Sequence, residues 1–299
     1  MQKIIFLLLI LPLLSASGAI AQDSLMDLLD ANTKPVINYT SATFKSTRIL
    51  DGQSIERMKA GQLDFRISHR FGKLNSGAYN LFGLDQATIR FSLEYGITNW
   101  LMAGLGRSSF EKTYDGFLKF SPIRQCTGAR VMPVSVSFFA STALKTIHWS
   151  NPAQTNYYSS RLAYTYQVLI ARKFSEAFSL QLTPSIVHRN LTASELDPND
   201  LYAMGLGGRI KLSHRISLNA EYYYVAQPIP ARSTTPMTNP LSLGIDIETG
   251  GHVFQLILTN SLSMIEKGII GETTGHWSKG DIYFGFNISR VFTIKNYNK

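Results

Sequence analysis

Residues 61–71, GQLDFRISHRF, and residues 85–95, DQATIRFSLEY, are the stretches whose pattern decides the fold. In the first, Leu63, Phe65, Ile67, His69 and Phe71 alternate with Gln62, Asp64, Arg66, Ser68 and Arg70. In the second, Ala87, Ile89, Phe91, Leu93 and Tyr95 alternate with Gln86, Thr88, Arg90, Ser92 and Glu94. Successive side chains of a strand point to opposite faces, so each stretch predicts a β-strand with one apolar and one charged face. The same period continues through 100–109, 113–121, 131–142, 161–171, 178–188, 201–212, 216–225, 241–248, 252–260 and 281–292. With the first two, these segments make about twelve strands, an even number.

The joins alternate in length. Those at 96–99, 173–177, 213–215 and 249–251 are short; those at 72–84, 143–160, 189–200, 226–240 and 261–280 are long and rich in Asn, Ser, Thr, Pro and Gly. Short turns at one end and long loops at the other are the plan of a transmembrane barrel with strands of about 9–11 residues. The expected fold is therefore all-β: an antiparallel up-and-down β-barrel with short periplasmic turns and long outer loops. Two joins depart from this plan, 110–112 being too short and 122–130 too long. Alternation alone also fits a soluble lipocalin-like carrier barrel with its apolar face turned inward. Strand number, strand length and aromatics at strand ends, among them Trp100, Tyr114, Phe174, Tyr202 and Phe292, favour lipid on the outside.

Composition narrows the class further. The 299 residues are 44% hydrophobic and 16% charged, against about 25% charged in ordinary soluble domains. That apolar content excludes intrinsic disorder. Beyond residue 21 no apolar run approaches the roughly 18 residues that a spanning helix needs. The net charge of +9 does not point to nucleic acid, because Lys and Arg are scattered singly between apolar residues. Met1-Gln2-Lys3, the apolar run 4–14 and Ala19-Ile20-Ala21 read as a signal peptide over 1–21. Residues 22–60 are then a periplasmic N-terminal extension or partial plug, and 61–299 the barrel. The expected location is the outer membrane of a Gram-negative bacterium. Cys126 is the single cysteine, which excludes an intramolecular disulfide.

The segments FKSTRI (44–49), DFRISHRFG (64–72), LFGLDQATIRFSLEYGITNW (81–100), GLGRSSFEKTYDGFLKF (104–120) and GGHVFQLILTNS (250–261) resemble a family of uncharacterised outer-membrane β-barrel proteins of Gram-negative bacteria. The likeness spans nearly all of the chain after the signal. It implies the fold and supplies no catalytic residues.

With the apolar face outward, the lumen is expected to be lined by Arg66, Arg70, Arg90, Lys119, Arg161, Arg209 and Lys211 against Asp64, Glu94, Asp115, Glu221, Asp246 and Glu248. In a narrow barrel opposite charges on neighbouring strands would pair across the interior. The alternative is a path for a small polar or anionic solute along Arg66, Arg70 and Arg90. The expected function is a non-catalytic barrel, either a narrow solute channel or a surface-interaction scaffold, with membrane lipid as its partner and no cofactor. A barrel hydrolase would need a nucleophile facing a His, and Ser68 and Ser92 face none in this register. No His, Cys, Asp or Glu spacing reads as a metal site. Gly104-Leu105-Gly106 and 205–208 lie within strands and read as room for bulky lumen side chains. Arg124, Arg130, Arg172, Lys173, Arg215, Arg290, Lys295 and Lys299, opposed by Glu176, form a basic rim at the short-turn end.

Overall fold

A computed structural model describes residues 36–149, 152–153, 155–192, 197–226 and 237–296. Residues 1–35 lie outside them, and with them the expected signal peptide and the first part of the expected N-terminal extension. Twelve strands close into one antiparallel barrel. They are β2 (Gln62–Lys73), β3 (Ala87–Gly96), β4 (Leu101–Ser108), β5 (Tyr114–Ile123), β7 (Ser135–Leu144), β8 (Leu162–Lys173), β9 (Phe178–Arg189), β10 (Asp200–Lys211), β11 (Ile216–Ala226), β12 (Leu241–Thr249), β13 (His252–Thr259) and β14 (Tyr283–Thr293). Each strand pairs with the next, and β14 pairs with β2 to complete the ring. All twelve expected strands are present, because an alternating face is a local property that any closure of the sheet must respect.

Two further strands were not expected. β1 (Ile37–Tyr39) pairs with β6 (Cys126–Gly128) in a separate ladder. This explains the long join between β5 and β7, which carries β6. The short join between β4 and β5 is likewise real, a tight turn over Phe110–Lys112.

The outward face is apolar. Phe91, Leu93, Leu105, Leu118 and Leu206 are exposed on it, while Arg90, Ser92 and Glu94 on the opposite face of β3 are buried. A water-soluble carrier barrel has the reverse arrangement, so the lipocalin-like expectation does not hold. Exposed aromatics stand at both ends of the strands. Trp100 packs edge-on against Phe120 at the short-turn end, and Tyr114, Tyr202 and Tyr224 stand toward the long loops. At the short-turn rim the guanidinium groups of Arg172 and Arg290 lie 5.2 and 5.0 Å over the rings of Phe174 and Phe292. Arg124 lies 4.2 Å over Tyr39.

Two prolines mark where the ladders weaken. Pro122 sits in the register shift between Phe120 and Ile123 of β5, as a residue without an N–H requires. Pro184 lies in the middle of β9. The ladder between β8 and β9 is interrupted there, between the pairs Gln167–Ser185 and Ile170–Leu182.

The interior is filled by two inserts. One is the stretch 41–60, which follows β1 at the short-turn end. It folds back on itself through Ile49 N–H to Gly52 O and Ser54 N–H to Thr47 O, both 2.9 Å. It returns to the same end, where Gly61 N–H donates to Gly96 O. Phe44, Ile49, Leu50 and Ile55 of this hairpin pack with Leu169, Ala171 and Ile257 of the wall. The other insert descends from the loop end and holds helix α1 (Glu266–Gly271), all six residues of which are buried. Ile269 and Ile270 pack against Val187, Leu201, Ala203, Tyr223 and Val225. The lumen face is therefore not uniformly polar: strands β8 to β11 carry inward apolar side chains where the inserts seat.

Candidate functional site in the barrel lumen

The inward charges of β2, β3 and β5 reach toward the hairpin because alternation leaves them no other direction. Arg66, Arg70 and Arg90 are 1%, 1% and 0% exposed, so each must be matched. Arg66 Nη2 donates to Asp64 Oδ2 on its own strand at 2.8 Å and to Thr47 Oγ1 of the hairpin at 2.7 Å. Thr47 in turn donates to Glu94 Oε2 at 2.5 Å. Arg90 pairs with Asp115 of β5 through Nε (2.9 Å) and Nη2 (2.5 Å). Arg70 Nη2 meets Asp51 Oδ1 of the hairpin tip at 2.5 Å. Lys119 donates to the carbonyls of Ser54 and Glu56, both at 3.0 Å.

On the far wall, Glu221 of β11 accepts three consecutive backbone N–H groups, from Leu50 and Asp51 at 3.2 Å and from Gly52 at 2.8 Å. The hairpin tip thus bridges Arg70 of β2 and Glu221 of β11, which stand four strands apart around the ring. Asp246 accepts from Gln255 at 2.9 Å. Arg209 donates to Ser217 Oγ and to Ala42 O. The two inserts touch one another: Glu266 of α1 accepts from Arg48 at 2.9 Å and from Gln53 at 3.2 Å.

This arrangement corrects two expectations. Carboxylates and arginines were expected to pair across neighbouring strands, yet Arg70 and Lys119 take partners on the hairpin, Arg66 takes Asp64 of its own strand together with Thr47, and Arg90 reaches two strands away to Asp115. Arg161 does not line the lumen. It stands at the loop end, 3.9 Å over the Trp149 ring, donating to the carbonyls of Lys145 and Ile147. Arg66, Arg70, Arg90, Asp64, Glu94, Lys119, Arg209, Glu221 and Asp246 do come together around the hairpin. Periodicity missed Thr47, Arg48, Asp51 and Glu266, which lie in segments without a period. The Asp51-Gly52 turn dipeptide was the available signal. In-strand glycines make the room that was expected: a Cβ at Gly106 would stand 2.3 Å from Arg90 Nη2, and one at Gly207 2.3 Å from Ile49 Cδ1.

Catalytic and metal constellations do not assemble among the described residues. His69 faces outward, stacked on Phe286 at 5.0 Å, while Ser68 and Ser92 are buried inside. His188 pairs with Asp200 at the loop rim, 2.7 Å away. No three His, Cys, Asp or Glu side chains gather at metal distance.

The loop end has its own charge cluster. Lys267 of α1 bridges Glu111 of the β4–β5 turn at 3.1 Å and also pairs with Glu272, while Lys145 pairs with Glu111. Burial pushes the Glu111 carboxyl up, but Lys267 and Lys145 outweigh it and hold it below its ordinary value. Burial pushes Lys267 down, but Glu272 and Glu111 outweigh that and hold it above its ordinary value.

The family model for a membrane bound beta barrel domain (DUF5777) matches residues 44–292. No curated protein matches the chain. Among solved structures the chain is similar to the NanC porin, at 8% identity and TM-score 0.46 over 78% of this chain and 100% of that one. It is similar to the KdgM porin at 8% identity and TM-score 0.42, covering 78% and 99% of the two chains. The Ralstonia pickettii toluene transporter TbuX matches at 10% identity and TM-score 0.36, covering 83% and 97%.

Proposed function

The chain belongs to the family of membrane-bound β-barrel domains, and on that premise we propose that it is an outer-membrane channel for small polar solutes, closed at rest by its own N-terminal hairpin. One observation carries this reading. The wall is lined with polar and charged groups whose partners are supplied by a tethered segment rather than by the facing wall, as with Arg70, Lys119 and Glu221. A barrel that needed only to be solid would be filled most cheaply by apolar wall side chains, since buried charges cost free energy even when paired. In this reading the short turns and both termini are periplasmic, residues 1–21 are the export signal, and residues 22–60 include the plug. The basic rim with Arg172 and Arg290 faces anionic phospholipid headgroups. The protein acts without catalysis, and its solute is recognised by more than positive charge, because Arg66, Arg70 and Arg90 are each matched by a carboxylate.

Planar-bilayer recordings on the full-length protein test the proposal. The wild type is expected to open rarely. Asp51→Ala, which frees Arg70 and Ser242 from the hairpin, is expected to raise the open fraction at least tenfold. Absence of conductance in both, with folding verified by heat-modifiable gel mobility, overturns the channel reading and favours a closed scaffold whose long loops carry the interactions.

A further inference from the structure

The wall reads the hairpin through its main chain. Gln255, Asn287 and Gln181, on β13, β14 and β9, each donate a side-chain amide at 2.8 Å, to the carbonyls of Ile49, Leu50 and Gln53 respectively. Glu221 takes the three N–H groups of residues 50–52. One side chain of the tip is held directly by the wall through both carboxylate oxygens: Asp51 Oδ1 on Arg70 at 2.5 Å and Oδ2 on Ser242 at 2.6 Å. One position is read by size, because a Cβ at Gly52 would stand 2.2 Å from Glu221 Oε1 and 2.2 Å from Tyr223 Oη. Amide and carboxylate side chains on separate strands thus converge on one turn of peptide; Arg70 and Ser242 add a demand for an acidic residue, and Glu221 and Tyr223 a demand for glycine after it.

We infer that this wall is a peptide-binding site and that the solute it admits is a short peptide presenting Asp-Gly at a turn, with the tethered hairpin acting as the resident pseudo-ligand. The inference rests on the channel reading for its route through the barrel, but the binding itself does not require conduction. Main-chain recognition makes the site tolerant of sequence elsewhere, as a transport site for a class of peptides must be. The Asp51 carboxylate and the Gly52 hydrogen are the two features a ligand must reproduce.

The test uses a fluorescently labelled peptide with the sequence of residues 47–54, TRILDGQS, titrated into detergent-purified full-length protein. A protein carrying Asp51→Asn and Gly52→Ala, whose own tip is unseated, is expected to bind it at least tenfold more tightly than the wild type. Peptides bearing either the Asp51→Asn or the Gly52→Ala change are expected to bind at least tenfold more weakly than the native peptide. Equal binding of the three peptides, or no binding, overturns the inference. Should the double variant not fold, a protein with a native tip serves, carrying Ile55→Cys and Cys126→Ser. Saturating native peptide is expected to accelerate thiol modification at position 55 at least tenfold and the changed peptides not at all; equal acceleration by all three, or by none, overturns it. Peptide binding without conductance removes the channel reading alone, and conductance without peptide binding removes this inference alone.

Discussion

Replacing Glu221 with alanine tests how the hairpin is held. The carboxylate is the acceptor for three backbone N–H groups at 2.8–3.2 Å. If the hairpin stayed in place, each orphaned donor would cost about 1–3 kcal/mol, or about 3–9 kcal/mol in all. Against this stands the apolar anchorage of Phe44, Ile49, Leu50 and Ile55, each contributing about 1.5–3 kcal/mol by burial. Alanine also removes the desolvation cost that the buried carboxylate itself carries, which draws the net loss toward the lower figure. The seated state should therefore weaken by about 3 kcal/mol and survive, corresponding to roughly a hundredfold more opening at about 1.4 kcal/mol per factor of ten. Hydrogen exchange followed by mass spectrometry reads this directly at Leu50, Asp51 and Gly52, since local opening sets amide protection. Strand amides away from the hairpin, such as Leu105 N–H on the outward face of β4, serve as the internal control. Unchanged exchange at residues 50–52 would refute the idea that Glu221 anchors the tip, and an equal rise at Leu105 would show that the barrel as a whole had been weakened.

Arg90→Met strands Asp115 in the interior and should cost about 3–5 kcal/mol, whereas Arg90→Met with Asp115→Leu should recover most of it; urea unfolding monitored by gel mobility measures both. Docking of the α1 loop should depend on pH at both extremes. Glu111, held below its ordinary value, contributes stability that is present above that value and lost as pH falls through the depressed one. Lys267, held above its ordinary value, contributes stability present below that value and lost as pH rises through the elevated one. Limited proteolysis of 261–281 should thus be slowest across the neutral range and accelerate on strong acidification; cleavage insensitive to acid would count against the cluster. Pro184→Ala restores an N–H at the gap between β8 and β9 and should stabilise the barrel by about 1 kcal/mol, and a loss of stability in urea would show that the interrupted ladder is needed.

Much of the fold was legible because its signal is local. The period of two in residues 61–71 and 85–95 placed Arg66, Arg70, Arg90 and Glu94 on one face, and no closure of the sheet could move them to the other. The alternation of short and long joins gave the up-and-down order. The candidate site was legible only as half of itself. Its wall residues stood out as charges in register, but Arg161, on the same side by parity, lies in a turn before β8 and is drawn to Trp149. The aperiodic stretch 41–60 and the helix at 266–271 offered no period by which to assign a face.

By itself, then, the amino-acid sequence determined the strands and their two faces, since each depends only on neighbours two residues apart. What occupies the lumen was decided by the tertiary structure. The contact between Arg48 and Glu266 joins residues 218 positions apart, and Glu221 grips a turn 169 positions before it. A buried charge must be matched by whatever group shares its volume, and that volume exists only once the barrel has closed.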